Sequence, residues 1–285
     1  MFGKSRHKRI CSDVWGGECY TWVLPPEFRH DDHPTNDQKR ARAADYDCPM
    51  YVLDLLASDP DKEVRIAVAK SPALITIDHG KEVPVTVAQG PPQELLARLA
   101  NDIDEDVRVA VAMSSQAGPE ALAKLAGDSS PEVRKAIPQR TRPAPPEVLA
   151  RLVTDPNVEV RRSLAMEGDT LPPEALLQLA YDRDPEVRYF LAHNKGCTPA
   201  VLQRLAASPD VNVRWSVASN DACPPELLDR LADDENAVTR LTVVRNPSCS
   251  PELLTKLAAD PDPTVRKRVA AHPNCPPQVK AQLAD

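Results

Sequence analysis

The chain returns to one pattern every 26 or 27 residues. The clearest copies start on a Pro-Pro-Glu-Leu-Leu segment, pass through Leu-Ala-x-Asp and Val-Arg-x-x-Val-Ala, and close on Asn-x-x-Cys. Prolines open successive copies at Pro92, Pro119, Pro146, Pro173, Pro199, Pro225, Pro251 and Pro277. Arginines follow in step at Arg65, Arg108, Arg134, Arg161, Arg188, Arg214, Arg240 and Arg266. A fixed period of this size constrains the fold more than any single motif. Each unit is one supersecondary element that cannot bury its apolar face alone, so the units must stack into a solenoid. Residues that recur in phase are explained first by stacking. Function is to be sought where the period fails.

Each copy holds two short apolar stretches at helical spacing. In the copy opening at Pro224, Leu227, Leu228, Leu231 and Ala232 form one stripe, and a second stretch runs over Val238–Val244 beyond an acidic turn. Helices of about two to three turns are marginal alone in water, so their stability must come from neighbours. Thirty prolines against nine glycines would suit a disordered chain if scattered. Here they fall at copy starts and at mid-copy Asp-Pro or Ser-Pro turns, where proline fits a helix N1 position or a β-turn.

The period fails in two places. Of the eleven aromatic residues, Phe2, Trp15, Tyr20, Trp22, Phe28 and Tyr46 lie in the first 47 residues, whereas the copies are built on Leu, Val and Ala. Residues 1–47 therefore read as a separate N-terminal segment, with capping of the solenoid end as its expected role, and residues 48–285 as the repeat array. The second failure is the insertion 74–90. Alternating Leu74/Thr76 and Val83/Val85/Val87 flank Asp78-His79-Gly80-Lys81, which predicts a β-hairpin.

The formal charge is −7. Residues 1–47 balance eight Lys/Arg against eight Asp/Glu, so the whole acidic excess lies on the array. A sequence-independent grip on nucleic acid needs a basic surface, and a nucleic-acid enzyme on this scaffold is disfavoured accordingly. The first residues carry no apolar stretch of secretory type, and no run approaches a membrane span. Seven cysteines, an odd number, fit reduced thiols and a cytoplasmic location.

The recurring PPELL, LA-x-D-P and EVR-x-x-VA-x-N segments resemble the leucine-rich repeat variant family, a relative in style of HEAT repeats, over residues 48–285. That resemblance implies an all-α, right-handed solenoid of about eight two-helix repeats in which α- and 3₁₀-helices alternate. Some members of the family carry an N-terminal four-cysteine domain holding a 4Fe–4S cluster. The hairpin-like insertion departs from the family pattern.

Four constellations could carry function. An acid stands six residues before nearly every repeat arginine, from Asp59/Arg65 to Asp260/Arg266, and only Ser208, before Arg214, breaks the series. Such an Asp can cap the second helix or accept a bond from the Arg, giving a structural ladder of paired charges. Cys197, Cys223, Cys249 and Cys275 recur every 26 residues. Thiolates one repeat apart, at about 8–10 Å, are too far apart to share a zinc, so these are core residues. Cys11, Cys19 and Cys48 are the candidate metal ligands, for zinc or, as the resemblance implies, a 4Fe–4S cluster. Such a cluster wants four cysteines, and Cys48 lies in phase with the repeat cysteines. With no cofactor the expected state, the metal site is the alternative.

The fourth constellation is the freely varying residue after each repeat arginine, placed on the outer face by helical spacing. It gives Tyr189, Trp215 and Leu241 in consecutive repeats, with Arg162 at one end of the strip. Aromatics beside arginine are the composition of a protein-binding hot spot. No P-loop, GxGxxG, HExxH or GxSxG pattern is present. The expectation is a non-catalytic scaffold that binds a protein partner through these residues. A metal-binding protein with a client-docking array is the alternative.

Overall fold

A computed structural model describes residues 34–45, 48–72, 74–77, 85–88, 91–167 and 171–283. Among them are eighteen helices and one two-stranded sheet. Helix α1 (Asn36–Ala43) is followed by α2 (Met50–Leu56) and α3 (Lys62–Ala69). Next comes the insertion, with β1 (Leu74–Ile77) and β2 (Val85–Ala88). The pairs α4 (Gln93–Leu99) and α5 (Glu105–Met113), α6 (Pro119–Leu125) and α7 (Pro131–Ala136), and α8 (Pro146–Leu152) and α9 (Val158–Glu167) continue the array. They are followed by α10 (Pro173–Leu179) and α11 (Pro185–His193), and by α12 (Pro199–Leu205) and α13 (Val211–Ser219). The last are α14 (Pro225–Leu231) and α15 (Ala237–Arg245), α16 (Pro251–Leu257) and α17 (Pro263–Ala270), and the single α18 (Pro277–Gln282).

Local chemistry sets these boundaries. Proline occupies the first helical turn in α6, α8, α10, α12, α14, α16 and α18, where its missing N–H costs nothing. The second helix of a pair starts on a side-chain cap, such as Asp61, Asp104, Ser130, Asp210, Asn236 or Asp262, each accepting from the amide two residues on. The helices are α-helical through their bodies. Bonds of 3₁₀ type close the short ones, as where Ser58 N–H donates to the Leu55 carbonyl at 3.1 Å.

The second helices stack in one row from α3 to α17, with α1 heading it, and the first helices form a more open row behind them. The core is the seam between the rows. Leu202 and Leu205 of α12, Val213 and Val217 of α13 and Leu228 of α14 are wholly buried there. Burying each such Leu contributes about 1.5–3 kcal/mol, so the seam supplies what the short helices lack alone. The insertion folds as an antiparallel hairpin, with Leu74 opposite Ala88 and Ile77 opposite Val85. Its centre, 78–84, lies outside the described residues. No helix among the described residues is long and apolar enough to cross a membrane.

Two polar ladders fasten one repeat to the next. On the turn edge, six of the eight repeat arginines reach into the following repeat for a carboxylate. Arg65 Nε and Nη2 donate to Asp102 at 2.7 and 2.9 Å, and Arg108 pairs likewise with Asp128, Arg134 with Asp155, Arg161 with Asp182, Arg214 with Asp234 and Arg240 with Asp260. The third guanidinium nitrogen, Nη1, donates to the carbonyl six residues back, as from Arg161 to Asp155 at 2.7 Å. The Asp in turn accepts the amide two residues on, as from Asn157 to Asp155 at 2.9 Å. The acid six residues upstream is thus neither the ion-pair partner of its arginine nor the helix cap. It offers that arginine its backbone carbonyl, and its carboxylate serves the previous repeat. At the head of the row, Lys39 of α1 takes the arginine's part and meets Asp59 at 2.8 Å.

The opposite edge carries buried asparagines. Asn220 Nδ2 donates to the Ala192 and Asn194 carbonyls at 2.7 and 3.2 Å, and its Oδ1 accepts Ala222 N–H at 2.9 Å. Asn246 repeats this against Ala218 and Asn220. His272 stands at the equivalent place in the last repeat, its Nδ1 accepting Asn274 N–H.

Candidate functional site

Helices α11, α13 and α15 lie side by side in the row of second helices, so their equivalent residues Tyr189, Trp215 and Leu241 follow one another along it. Tyr189 and Trp215 meet edge to face, with ring centroids 5.8 Å apart. His193, one turn after Tyr189, completes a triangle at 4.7 Å from the Tyr ring and 5.6 Å from the Trp ring. Its Nδ1 lies 3.1 Å from the Tyr189 carbonyl, an acceptor, so this nitrogen carries the proton. Trp215 Nε1 donates to Asn212 Oδ1 at 3.2 Å, which fixes the indole across the helix surface. Such ring pairs contribute about 0.5–1.5 kcal/mol beyond area burial, which favours the packed arrangement of the three rings.

On its other side the indole walls a hollow of about 410 Å³, with Ser219 of its own helix and Val238, Thr242 and Arg245 of α15. Val238 is 54% exposed. The site therefore joins a half-buried aromatic platform to an open hollow with an apolar wall and two opposite charges, Arg245 and Asp221, in its lining.

The four residues expected from the sequence part company here. Tyr189 and Trp215 come together. Leu241 follows Trp215 along the row and, like Tyr189, is partly buried against the core, but it takes part neither in the ring cluster nor in the lining of the hollow. Arg162 is committed to three carboxylates, Glu159 at 2.8 Å, Asp184 at 3.1 Å and Glu186 at 2.8 Å. Spacing alone places the residue after each arginine outward, but the neighbouring helix covers one flank of it. That neighbour turns an exposed strip into a half-buried platform. His193 and the wall Val238/Thr242/Arg245 were not anticipated. Their signal was legible: His193 is four residues from Tyr189, and the wall residues follow i, i+4, i+7 on one helix face.

Of the metal ligands expected from the sequence, only Cys48 lies among the described residues. Cys11 and Cys19 lie outside them. Cys48 is buried at the start of α2, its Sγ 3.9 Å from the Pro49 carbonyl, much as Cys223 stands to Pro224. Among the described residues no group of three or more His, Cys, Asp or Glu side chains is placed to hold a metal ion. Burial pushes the Cys223 thiol up to about 12 and, with the nearby Asp229 carboxylate, that of Cys249 up to about 11, the opposite of what a thiolate ligand needs.

Residues 237–262 match the leucine-rich repeat variant family model. Among solved structures the chain is similar to a leucine-rich repeat variant with a novel repetitive structural motif, at 30% identity over 67% of this chain and 80% of that one, with a TM-score of 0.51. It is also similar to an engineered protein (19% identity, 88% of this chain and 77% of that one, TM-score 0.31) and to a designed armadillo repeat protein (13%, 88% and 93%, TM-score 0.24). No curated protein matches the chain. The period, the two-row stack of helices and the match to that first solved structure agree, and the chain belongs to the leucine-rich repeat variant family.

Proposed function

We propose that this protein is a non-catalytic scaffold that binds a protein partner through the face of its second helices around Trp215. The observation that carries this is the Tyr189–His193–Trp215 platform beside the hollow walled by Val238 and Arg245. A half-exposed aromatic next to a concavity with an apolar wall and a polar, charged rim is the form a hot spot takes. The anchor is Trp215, with Tyr189 behind it and Arg245 orienting the partner. Arg162 and Leu241 serve the fold.

Affinity capture with wild type, Trp215→Ala and Val238→Asp tests the reading. A protein retained by wild type and lost from both variants, whose melting curves stay close to wild type, supports it. Identical capture by all three refutes it.

A further inference from the structure

The turn-edge ladder has one internal gap. Arg188 keeps its bond to the Asp182 carbonyl at 2.5 Å, but the next repeat offers Ser208 where the other repeats place an acid. Ser208 takes over only half of that acid's work, accepting Asp210 N–H at 3.2 Å. The Nε and Nη2 edge of Arg188 is left without an acceptor among the described residues. Nearby carboxylates are already engaged: Asp182 is held by Arg161, and Asp210 accepts Asn212 N–H at 2.7 Å. Elsewhere in the array this same fork holds a carboxylate at 2.6–2.7 Å from Nε, so its geometry is set for one.

The surroundings differ in the same sense. Two repeats on, the equivalent place is an open hollow of about 320 Å³ walled by Arg240, Asp260, Asp233, Asp234 and Lys256. There Asp233 pairs with Lys256 at 2.7 Å. At the gap those two positions are Tyr181 and Arg204, and the Arg204 guanidinium lies over the Tyr181 ring at 4.2 Å. Two of the three acids of the hollow, Asp233 and Asp260, have no counterpart at the gap; the third, Asp234, has its counterpart in Asp182, which Arg161 already holds, so the Arg188 and Arg204 guanidinium groups face no free carboxylate of the repeat.

We propose that the Arg188 fork, with Arg204 beside it, binds the carboxylate of an Asp or Glu side chain on a protein partner, which completes the ladder in trans. The proposal rests on the reading of the array as a protein-binding scaffold, but uses the turn edge rather than the Trp215 face. The two surfaces can therefore fail separately.

The full chain is titrated with N-acetyl-hexaglutamate, with hexaglutamine, and with inorganic phosphate, following the arginine Nε–Hε resonances by NMR; Arg188→Lys assigns the signal. Hexaglutamate is expected to shift Arg188 saturably, and hexaglutamine is not. Ser208→Asp supplies the missing acid in cis. It should weaken the peptide at least about tenfold and raise the Tm, as the loss of one bidentate charged pair to competition requires. Exposed Arg204→Gln, which does not depend on the folding of Ser208→Asp, should weaken it several-fold. An unmoved Arg188 signal, or undiminished binding to Ser208→Asp or Arg204→Gln, overturns the proposal. A response to phosphate as strong as that to hexaglutamate overturns the carboxylate assignment. Trp215→Ala should bind hexaglutamate as wild type does, so failure of the Trp215 reading shows only in partner capture.

Discussion

Replacing Arg161 by Met isolates what one rung of the ladder contributes. The Arg161 and Asp182 side chains are only 8% and 7% exposed, and the fork reaches Asp182 at 2.6 and 3.1 Å. Removing one partner of a buried pair strands the other, at a cost of about 3–5 kcal/mol. The rung lies at an edge, and Asp182 would keep the Asp184 amide at 2.9 Å, which favours a cost of about 3 kcal/mol. Arg188→Met is the internal control, because that arginine occupies the same place without a carboxylate and forfeits chiefly one bond to a carbonyl, at about 1 kcal/mol. The two variants should therefore differ by about 2 kcal/mol in urea unfolding followed by circular dichroism. Each repeat contacts only its neighbours, so breaking the tie between α9 and α11 should also broaden the Arg161→Met transition or split it in two. Equal midpoints and slopes for the two variants would refute the view that the ion pairs couple the repeats.

Acid should loosen the same ladder. Burial alone pushes the carboxyls of Asp102, Asp128 and Asp260 up, but their arginines and the amides they accept hold each below the usual carboxylate range. A lowered folded-state value means the contribution is present above the unfolded value of about 3.9 and is lost as pH falls through the folded values, so the ladder's part of the urea midpoint should hold down to about pH 5 and then fall. Burial, with the Arg268 charge, lowers His272 below its usual value. Protonation therefore favours the unfolded chain below about pH 6.5, and His272→Asn should remove that part of the slope. Native Cys223 and Cys249 should resist iodoacetamide at about pH 8 and react only after unfolding, as mass spectrometry of the labelled protein will read. Protein purified anaerobically should be colourless and free of stoichiometric metal. A visible charge-transfer band would instead return Cys11, Cys19 and Cys48 to the role of ligands.

The stack, the helix boundaries and the hairpin were legible because each rests on local chemistry. Proline sits at N1, Asp or Asn caps the second helices, and Thr76 and Val85 sit in alternating runs about a turn. The partner of each arginine was not legible, for a reason that periodicity itself creates. In a 26-residue repeat, an acid six residues before the arginine in one copy stands twenty after it from the copy before, as Asp128 does relative to Arg134 and Arg108. One sequence pattern serves both pairings, and only the stacking of repeats decides between them. Burial on the second-helix face was lost in the same way. Helical spacing orients Leu241 and Trp215 alike, but the contacts that half-bury Leu241 and set Trp215 against Tyr189 and the hollow come from the adjacent repeats.

The bonds of both ladders join equivalent positions of adjacent units, and this makes the length of the molecule adjustable by whole units. Excising residues 189–214 would bring Asp234 to the place that Ser208 now holds before Arg188, at the twenty-residue separation of Arg214 and Asp234. Asn220 would then reach the Ala165 carbonyl that Asn194 now grips. Both edges would re-form, and the open fork at Arg188 would close. An excision out of phase would break the turn edge and the asparagine edge together. The array can thus lose or gain a repeat without redesign, and its one internal open rung among the described residues belongs to a single unit that can be removed.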